Sequence, residues 1–259
     1  MKGVILAGGT GSRLMPSTKV TNKHLLPVYD RPMIYYPLDT LGKAGIDDVL
    51  IISGQGHAGD FLELLGDGSD IPTERKGREL EFNFDGEITY KIQKEPLGIA
   101  HALSLADDFI EPGEKFVVIL GDNIYGGDPS DQIKSFEESD FEAQVFLKEV
   151  EDPQRFGNPR VEGDRITHIE EKPDEPHSEY AITGLYGFYN DEENSLFKHI
   201  ETLEPSDRGE YEITDILRWY QERATMTFEE MDMFWTDAGK PGALLEASNF
   251  MKRKFEREE

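Results

Sequence analysis

The chain has 259 residues, of which 37% are hydrophobic and 31% are charged; this is the balance of a folded protein with one large domain or two small ones. The apolar runs are too short to cross a bilayer, and the absence of cysteine excludes disulfides, thiolate metal sites and cysteine nucleophiles. The N-terminal sequence MKGVILAGG predicts a first strand and not a signal peptide. We therefore expect a cytoplasmic protein.

The charge of the chain is acidic and unevenly distributed. Fifty-three acidic residues oppose 27 basic ones, for a net charge of −26, which disfavours nucleic acid and anionic membranes as partners. Residues 1–43 nevertheless contain six bases and two acids. Either this excess is a chance feature of a solvated surface, or the segment forms a pocket for an anion. The overall acidity predicts stabilisation by salt, with an ordinary acidic mesophilic protein as the alternative.

Short β-branched runs alternate with helical patterns and glycine turns, which predicts a largely parallel sheet covered by helices. Pro32 is expected in the first turn of a helix that ends at Gly45, and Pro37 is expected to kink that helix. The Asp85-Gly86 pair lies between alternating runs and predicts a hairpin within residues 79–93. Strands are predicted at residues 4–7, 49–53, 88–93, 116–121, 143–148, 166–170, 183–189 and 226–230, and further helices at residues 98–109, 132–138, 192–203, 213–222 and 242–254.

A glycine-rich segment, LAGGTGSRLMP at residues 6–16, directly follows the first predicted strand. Gly8, Gly9 and Gly11 would let backbone N–H groups approach a phosphate closely. The dinucleotide fingerprint is excluded because Leu14 stands where its third glycine is needed, and the P-loop is excluded because its Gly-Lys-Ser/Thr is absent. A plain glycine-rich turn remains the alternative.

Two basic residues, Arg13 and Lys23, lie on loops at the carboxyl end of the same strand. Open α/β sheets bind ligands at that end, and a guanidinium together with an ammonium suits the oxygens of a polyphosphate. The alternative is that both are surface bases.

Two acids follow predicted strands. Asp122 comes directly after a buried run in VVILGDN, and Asp237 follows the aromatic end of FWTDAG. Carboxylates placed this way could hold Mg²⁺, which takes one or two protein carboxylates and keeps substrate oxygens and waters. Each acid could instead cap a helix or turn.

Taken in order, LAGGTGSRL, K-x-LLP, PMIYYPLDTL, LGDN, EEKP, YAITGLY, RGEYEITD and WTDAG resemble the sugar-1-phosphate nucleotidyltransferases, and among them the short-form thymidylyltransferases. The resemblance covers the chain from Lys2 to Phe250. It implies an α/β Rossmann-like nucleotidyltransferase fold, with a mixed, mostly parallel central sheet flanked by helices. It also implies one domain, 1–259, with a nucleotide-binding part at about 1–125, a sugar-binding part at about 126–240 and a C-terminal helix at 242–259.

The resemblance further implies roles for individual residues. In the nucleotide-binding part, Gly8, Gly9, Gly11, Ser12 and Arg13 would wrap the triphosphate, Lys23 would contact phosphates during transfer, Gln93 and Gly98 would read the pyrimidine, and Asp122 and Asp237 would hold Mg²⁺. In the sugar-binding part, Asn123, Gly157, Glu171 and the Ile182-Thr183 backbone would hold the sugar, and Lys172 and Arg208 would grip its phosphate. Arg13, Lys23 and Lys172 are the implied catalytic residues. Read without the resemblance, Gln93, Glu171 and Lys172 are ordinary surface residues.

The implied reaction transfers a deoxythymidylyl group from dTTP to glucose 1-phosphate, giving dTDP-glucose and pyrophosphate, as in dTDP-sugar biosynthesis and the dTDP-rhamnose pathway. UTP is the alternative nucleotide, because thymine and uracil differ by one methyl, worth about 1–3 kcal/mol of discrimination. A non-catalytic nucleotide-sugar sensor would be a different class of protein, but Lys23, Asp122 and Asp237 are all present. A homo-oligomer, dimer or tetramer, is expected.

The sequence departs from the family pattern at several positions. His24 stands where the thymidylyltransferases usually have Gln, and its alternative interpretation is a loop histidine without a role. Gln93 is followed by KEPLGIAHA in place of the Pro-Asp-Gly-Leu-Ala-Gln-Ala of the bacterial short forms, so the sequence next to the implied pyrimidine contact differs from theirs. The usual Gly-Val-Val near the sugar reads Gly157-Asn158-Pro159.

Overall fold

A computed structural model describes residues 1–75 and 78–256. Their contacts divide them into two compact units. We call the first the glycine-loop unit; it comprises the described residues of Lys2–Pro96, Ile119–Asp131 and Met233–Glu259. The second, the hairpin unit, comprises Met1, Leu97–Val118 and Gln132–Asp232.

Strands and helices alternate along much of the chain, as the sequence predicts. The strands are β1 (Lys2–Ala7), β2 (Pro27–Val28), β3 (Arg31–Pro32), β4 (Asp48–Gly54), β5 (Glu74–Arg75), β6 (Arg78–Glu79), β7 (Glu87–Gln93), β8 (Glu114–Leu120), β9 (Asn123–Tyr125), β10 (Ala143–Glu149), β11 (Gly157–Glu162), β12 (Arg165–Glu171), β13 (Tyr180–Asn190), β14 (Met226–Glu230) and β15 (Trp235–Asp237). The helices are α1 (Tyr35–Lys43), α2 (Ala58–Leu65), α3 (Ile99–Ser104), α4 (Ser130–Glu138), α5 (Leu196–Ile200), α6 (Ile213–Glu222) and α7 (Pro241–Phe255). Seven strands, β1, β4, β7, β8, β10, β13 and β14, belong to one central, mostly parallel sheet. Among the described residues, no helix is both long and apolar enough to span a membrane.

In the glycine-loop unit, β1 pairs with β4 and β4 pairs with β7, both in parallel. The central residues of β1 and β4 are uninterrupted apolar runs that are buried on both faces, which is typical of parallel strands. The register places Ala7 opposite Ser53, and Gly54 opposite Gln93. The carboxyl ends of the three strands therefore meet at one edge of the sheet.

The prediction for the first helix is wrong at its start. Pro32 lies in the short strand β3, and α1 begins three residues later, at Tyr35. Pro37 is the third residue of α1, where its missing N–H has no intrahelical partner to lose, so it is accommodated in the first turn and does not kink the helix interior. Gly45, with φ of 77°, follows the end of the helix as predicted.

The hairpin predicted at Asp85-Gly86 is also wrong. Residues 80–84, directly before that pair, form no strand, while the residues after it form β7, which pairs with β4 in parallel. Gly86 lets its segment pass close to the backbone of Asp47, because a Cβ at position 86 would lie 2.0 Å from the Asp47 carbonyl oxygen. The preceding segment runs along α1, where Phe84 is buried and Asn83 contacts Gly42. The antiparallel strand pair near this region is β5 with β6 instead.

A second apolar layer of the glycine-loop unit lies beneath α7. Ala247 and Met251 of α7 pack against the two-stranded sheets β2–β3 and β9–β15. Their partners in that cluster include Val28 and Ile124, both fully buried. This packing fixes β9 and β15, which carry two of the candidate site residues.

In the hairpin unit, β10 pairs antiparallel with β13 and parallel with β14, and β11 and β12 form an antiparallel hairpin. Its helices α3 and α5 are shorter than predicted. After α3 the chain continues in tight i to i−3 turns, and the Asp191 carboxylate accepts the N–H groups of Glu193 and Asn194 before α5. Such local side-chain bonds favour a turn over a helix. Helix α6 matches its prediction, and α4 and α7 differ from theirs by one or two residues.

Candidate functional site

The glycine loop begins directly after β1 and has the backbone that its residues allow. Gly9 has φ of 89° and Gly11 has φ of 60°, both in the left-handed region that favours glycine. The Gly11 carbonyl accepts a hydrogen bond from Thr18 Oγ1 at 2.7 Å, which closes the loop. Gly8 lies against Gln93, whose Oε1 would be 2.6 Å from a Cβ at position 8. Gln93 is thus buried beside the loop and is not a solvent-facing strand residue.

Lys23 and Asp122 form a largely buried ion pair in the glycine-loop unit. The Asp122 backbone is held by the N–H of Ala238, 2.8 Å from its carbonyl oxygen, and its carboxylate also accepts a hydrogen bond from Asn123. Burial alone would raise the pKa of Asp122, but the ammonium of Lys23 outweighs it and holds that pKa well below its usual range. Asp122 is therefore a carboxylate at neutral pH.

His24 is buried beside this pair. The Asn22 side-chain oxygen lies 2.7 Å from His24 Nδ1 and accepts the His24 backbone N–H, while Asn22 Nδ2 donates to the Ala7 carbonyl at the end of β1. Burial, assisted by the charge of Lys23, lowers the pKa of His24 to about 3. A neutral imidazole therefore lies beside the Lys23–Asp122 pair, and the sequence did not reveal this placement.

Asp237 adds a second carboxylate. It ends β15, and the strand register places it opposite Asn123 of β9. Its Oδ1 accepts the Gly239 N–H at 2.9 Å, and its Oδ2 lies 4.0 Å from Arg13 Nη1. Burial raises the pKa of Asp237, and the negative charge of Asp122 raises it further. The arrangement therefore favours a cation near the two acids.

Gly239 leaves open the space on which these groups converge. A Cβ at this position would lie 2.7 Å from Asp237 Oδ1, 2.9 Å from Arg13 Nη2 and 3.1 Å from Asp122 Oδ2. Two carboxylates that leave room for waters and phosphate oxygens are a donor set that Mg²⁺ prefers. The residues present fit such an ion.

A cavity of about 270 Å³ adjoins the glycine loop within the same unit. Its walls are polar or cationic at several positions, which suits an anionic ligand with a polar base. The lining residues include Gly9, Thr10, Lys23, His57, Gln93 and Lys94.

The remaining candidate residues lie in the hairpin unit. Gly98 precedes α3 with φ of 104°, and a Cβ there would be 2.5 Å from the Tyr211 carbonyl oxygen. Gly157 begins β11 opposite Glu171, the last residue of β12. Ile182 lies on β13, and the neighbouring Thr183 has a buried hydroxyl without a hydrogen-bond partner within the described structure.

Glu171 connects the two candidate phosphate-binding bases. Its Oε1 lies 2.8 Å from Lys172 Nζ and 3.3 Å from Arg208 Nη2. Arg208 is held a second time by Glu212 at 2.8 Å. Lys172 follows β12 with φ of 48°, a left-handed conformation that turns the chain after the strand. The structure thus brings Glu171, Lys172 and Arg208 together at one end of the β11–β12 hairpin.

Trp235 and Gly239 also belong to the site of the glycine-loop unit, although the sequence did not single them out. Trp235 Nε1 donates to Asn123 Oδ1 at 2.6 Å and so fixes the residue next to Asp122. Both lie within two residues of Asp237 in the WTDAG segment, and this proximity in the sequence could have identified them as candidates.

A glycine loop after the first strand of a parallel sheet, beside paired carboxylates and an ammonium, defines an α/β protein whose candidate site suits phosphate groups. The chain belongs to the nucleotidyl transferase family, whose profile matches residues 2–254.

Individual relatives agree with this assignment. The chain is 43% identical over 192 residues to a glucose-1-phosphate thymidylyltransferase of Neisseria meningitidis, covering 73% of this chain and 62% of that protein. It is 39% identical over 256 residues to one of Mycolicibacterium smegmatis, covering 97% of this chain and 82% of that protein. A solved Bacillus anthracis structure, described as a candidate glucose-1-phosphate thymidylyltransferase in complex with a sucrose, is 45% identical with a TM-score of 0.84, over 96% of this chain and 94% of that one. For several curated relatives, the matched region spans only about half to three-fifths of their length.

Proposed function

We propose that the chain transfers a deoxythymidylyl group from dTTP to glucose 1-phosphate, forming dTDP-glucose and pyrophosphate. The observation that carries this proposal is the convergence of Arg13, Asp122 and Asp237 on the open space at Gly239, with Lys23 paired to Asp122. The names of the matched Neisseria and Mycolicibacterium relatives supply the substrates.

In this proposal the glycine-loop unit binds and activates the nucleotide. The loop N–H groups and Arg13 hold the triphosphate, and Lys23 exchanges its contact with Asp122 for phosphate oxygens. Asp122 and Asp237 would hold a divalent cation, proposed as Mg²⁺, and the bound ion would supply positive charge that neutralises the phosphate oxygens. Cations positioned where charge develops are the main source of catalysis in phosphoryl-type transfer.

The hairpin unit binds the sugar phosphate. Lys172 and Arg208 donate to its phosphate, whose oxygens take the place of the Glu171 carboxylate as their partner, while Glu171 accepts from sugar hydroxyls. The phosphate oxygen of the sugar then attacks the α-phosphorus of the nucleotide in line, and pyrophosphate leaves. No general base is needed, because a phosphate monoester is already ionised at neutral pH.

Gln93 and Gly98 are the proposed pyrimidine contacts. The buried amide of Gln93 lines the cavity and can both donate to and accept from a pyrimidine edge. Since this edge is common to thymine and uracil, UTP is the nearest competing substrate.

Pyrophosphate release with dTTP, UTP, CTP and GTP, each with glucose 1-phosphate and other sugar 1-phosphates, tests the proposal. We expect the highest kcat/KM for dTTP with glucose 1-phosphate, and dependence on a divalent cation. A higher kcat/KM for UTP would make the chain a uridylyltransferase. Nucleotide binding without turnover of any pair would make it a sensor.

We further propose that the reaction takes place in the cytoplasm and that the chain forms a dimer or tetramer, with no nucleic-acid or membrane partner. The acidic net charge of −26 supports the exclusion of polyanionic partners. Sedimentation equilibrium of the full chain measures the oligomeric state.

A further inference from the structure

A cluster of two imidazoles and one carboxylate lies on the β11–β12 hairpin. His168 and Glu170 are two residues apart on β12, so their side chains leave the same face of the strand, while Glu171 leaves the opposite face. The loop that follows returns His177 to them. Glu170 Oε2 lies 2.9 Å from His177 Nε2 and 4.0 Å from His168 Nε2, and one ligand atom from each residue lies within 4.8 Å of the others.

The position of His177 is fixed by a buried side chain. The His177 backbone N–H donates to Asn158 Oδ1 at 2.6 Å, and Asn158 Nδ2 donates to the carbonyls of Ser178 at 3.0 Å and Tyr180 at 2.7 Å. Asn158 is fully buried on β11. This is the residue at which the sequence departs from the Gly-Val-Val pattern, and its amide ties the loop that carries His177 to the hairpin.

We propose that His168, Glu170 and His177 bind a transition-metal ion of the Zn²⁺ type. Two imidazole nitrogens and one carboxylate oxygen are ligands that Zn²⁺ accepts and that Mg²⁺ does not favour. Tetrahedral bonds of about 2.1 Å place ligand atoms about 3.4 Å apart, and the two distances to Glu170 Oε2 bracket that value. The side chains of His168 and Glu170 are each 47% exposed, so water can fill the fourth position.

The bound ion would close the loop at residues 171–176, since it joins Glu170 on one side to His177 on the other. That segment begins with Glu171, the last residue of β12, and Lys172, two of the proposed sugar-phosphate contacts. The ion would therefore hold the strand end that carries these two residues.

The contact between Arg160 and His177 should weaken metal binding, and this effect can be tested. Its Nη2 lies 3.2 Å from His177 Nδ1. In that contact Nδ1 accepts a hydrogen bond, so the ring proton is on Nε2, directed at Glu170. Binding through Nε2 requires that proton to move to Nδ1, where it excludes the hydrogen bond from Arg160. Removing the guanidinium should therefore strengthen metal binding.

The experiment is a competition titration of Zn²⁺ between the full chain and a chromogenic chelator, with Mg²⁺ in excess. We expect one Zn²⁺ per chain, weakened at least about tenfold in His168→Gln and His177→Gln, and strengthened in Arg160→Gln. Unfolding can weaken Zn²⁺ binding but cannot strengthen it. A higher Zn²⁺ affinity in Arg160→Gln would therefore support the site even if a histidine variant failed to fold.

The matched control is His57→Gln. His57 also contacts a carboxylate, Asp60, at 2.8 Å, but it belongs to no three-residue cluster among the described residues. Zn²⁺ binding should be unchanged in this variant, and in Asp122→Asn, which tests whether the acids of the glycine-loop unit are the true ligands. The proposal is overturned if either control loses the ion as His168→Gln does, or if the unsubstituted chain binds none.

Discussion

Asp122 and Asp237 have different neighbours, so their ionised forms affect the stability of the fold in opposite directions. Asp122 is paired with Lys23, which holds its pKa low, whereas burial and the charge of Asp122 raise the pKa of Asp237. An acid whose pKa is raised in the folded state stabilises the fold below its ordinary pKa and loses that contribution as the pH rises. At neutral pH the ionised Asp237 is therefore a cost to the fold.

We expect Asp122→Asn and Asp237→Asn each to lower kcat by at least about 100-fold, because each removes a carboxylate from the proposed metal. Their stabilities should diverge. Asp122→Asn leaves the Lys23 ammonium buried without its counter-ion and should lower the melting temperature, whereas Asp237→Asn should leave it unchanged or raise it. Initial rates and thermal unfolding measure both effects. Asp70→Asn, at an exposed turn, is the control; near-normal turnover in either site variant would make that residue a structural acid.

His24 predicts a specific dependence of stability on pH. Its folded-state pKa of about 3 is below the ordinary value of 6.5, so the unfolded chain binds more protons between these values and stability falls as the pH falls through this window. The slope of the unfolding free energy should change by up to about 1.4 kcal/mol per pH unit when His24 is replaced by Gln. Urea unfolding at several pH values measures this slope. An identical slope in the two proteins would mean that His24 is not buried as a neutral ring.

At the scale of residues, the sequence predicted the acids and bases of the site but not their arrangement. Asp122 and Asp237 were visible because Asp122 closely follows β8 and Asp237 ends β15, and a position at a strand end is encoded locally. The roles of His24 and Gly239 depend on contacts between segments more than 95 residues apart in the chain, and no local pattern carries that information.

Among the structural elements, the end of β12 carries the proposed selectivity for the sugar phosphate. Lys172 Nζ and Arg208 Nη2 share the Glu171 carboxylate. A bound phosphate should replace that carboxylate as the partner of both bases. Lys172→Met should raise the KM for glucose 1-phosphate at least about tenfold, as loss of a charged hydrogen bond of about 1.5–3 kcal/mol implies, with little change in the KM for dTTP. Lys198→Met on α5 is the control. Equal changes for both substrates would count against a sugar-phosphate contact.

Helix α1 offers a second test, through its packing on the segment before β7. A Cβ at Gly42 would lie 2.5 Å from the Asn83 carbonyl oxygen, whereas a Cβ at Gly59 in α2 would meet no atom within 4 Å. Gly42→Ala should therefore destabilise the protein by about 1–3 kcal/mol, and Gly59→Ala should stabilise it by up to about 1 kcal/mol through helix propensity. Urea unfolding measures both. Two changes of the same sign would show that α1 does not pack this closely.

The same contact explains why one hairpin was predicted wrongly. Alternation in residues 79–93 is a sound strand signal, but it does not reveal which segment the residues pair with. Phe84 is buried and the Arg31 guanidinium donates to the Glu81 carbonyl at 2.6 Å, so this part of the chain lies against α1 and β3 without becoming a strand. The continuous apolar runs of β1 and β4 were predicted correctly because burial on both faces leaves little choice of partner.

At the scale of the whole molecule, the net charge of −26 predicts a dependence on salt. Like charges repel one another in the compact state, and the Debye length falls from about 10 Å at 0.1 M to about 3 Å at 1 M salt. We expect the melting temperature to rise between about 0.05 M and 2 M KCl, with activity retained. A flat or falling melting temperature, with activity lost at high salt, would indicate an ordinary acidic protein.

The glycine-loop unit is assembled from three separate stretches of chain, and this has a consequence for its synthesis. Its last stretch supplies β15, α7 and the carboxylate of Asp237, and α7 covers the apolar cluster around Val28 and Ile124. A ribosome needs on the order of 10 s to translate from Pro96 to Met233, at about 5–20 residues per second. During that interval the nascent unit lacks one acid of its site and exposes the surface that α7 later covers, so it depends on the rest of the chain emerging, or on a chaperone, to avoid aggregation.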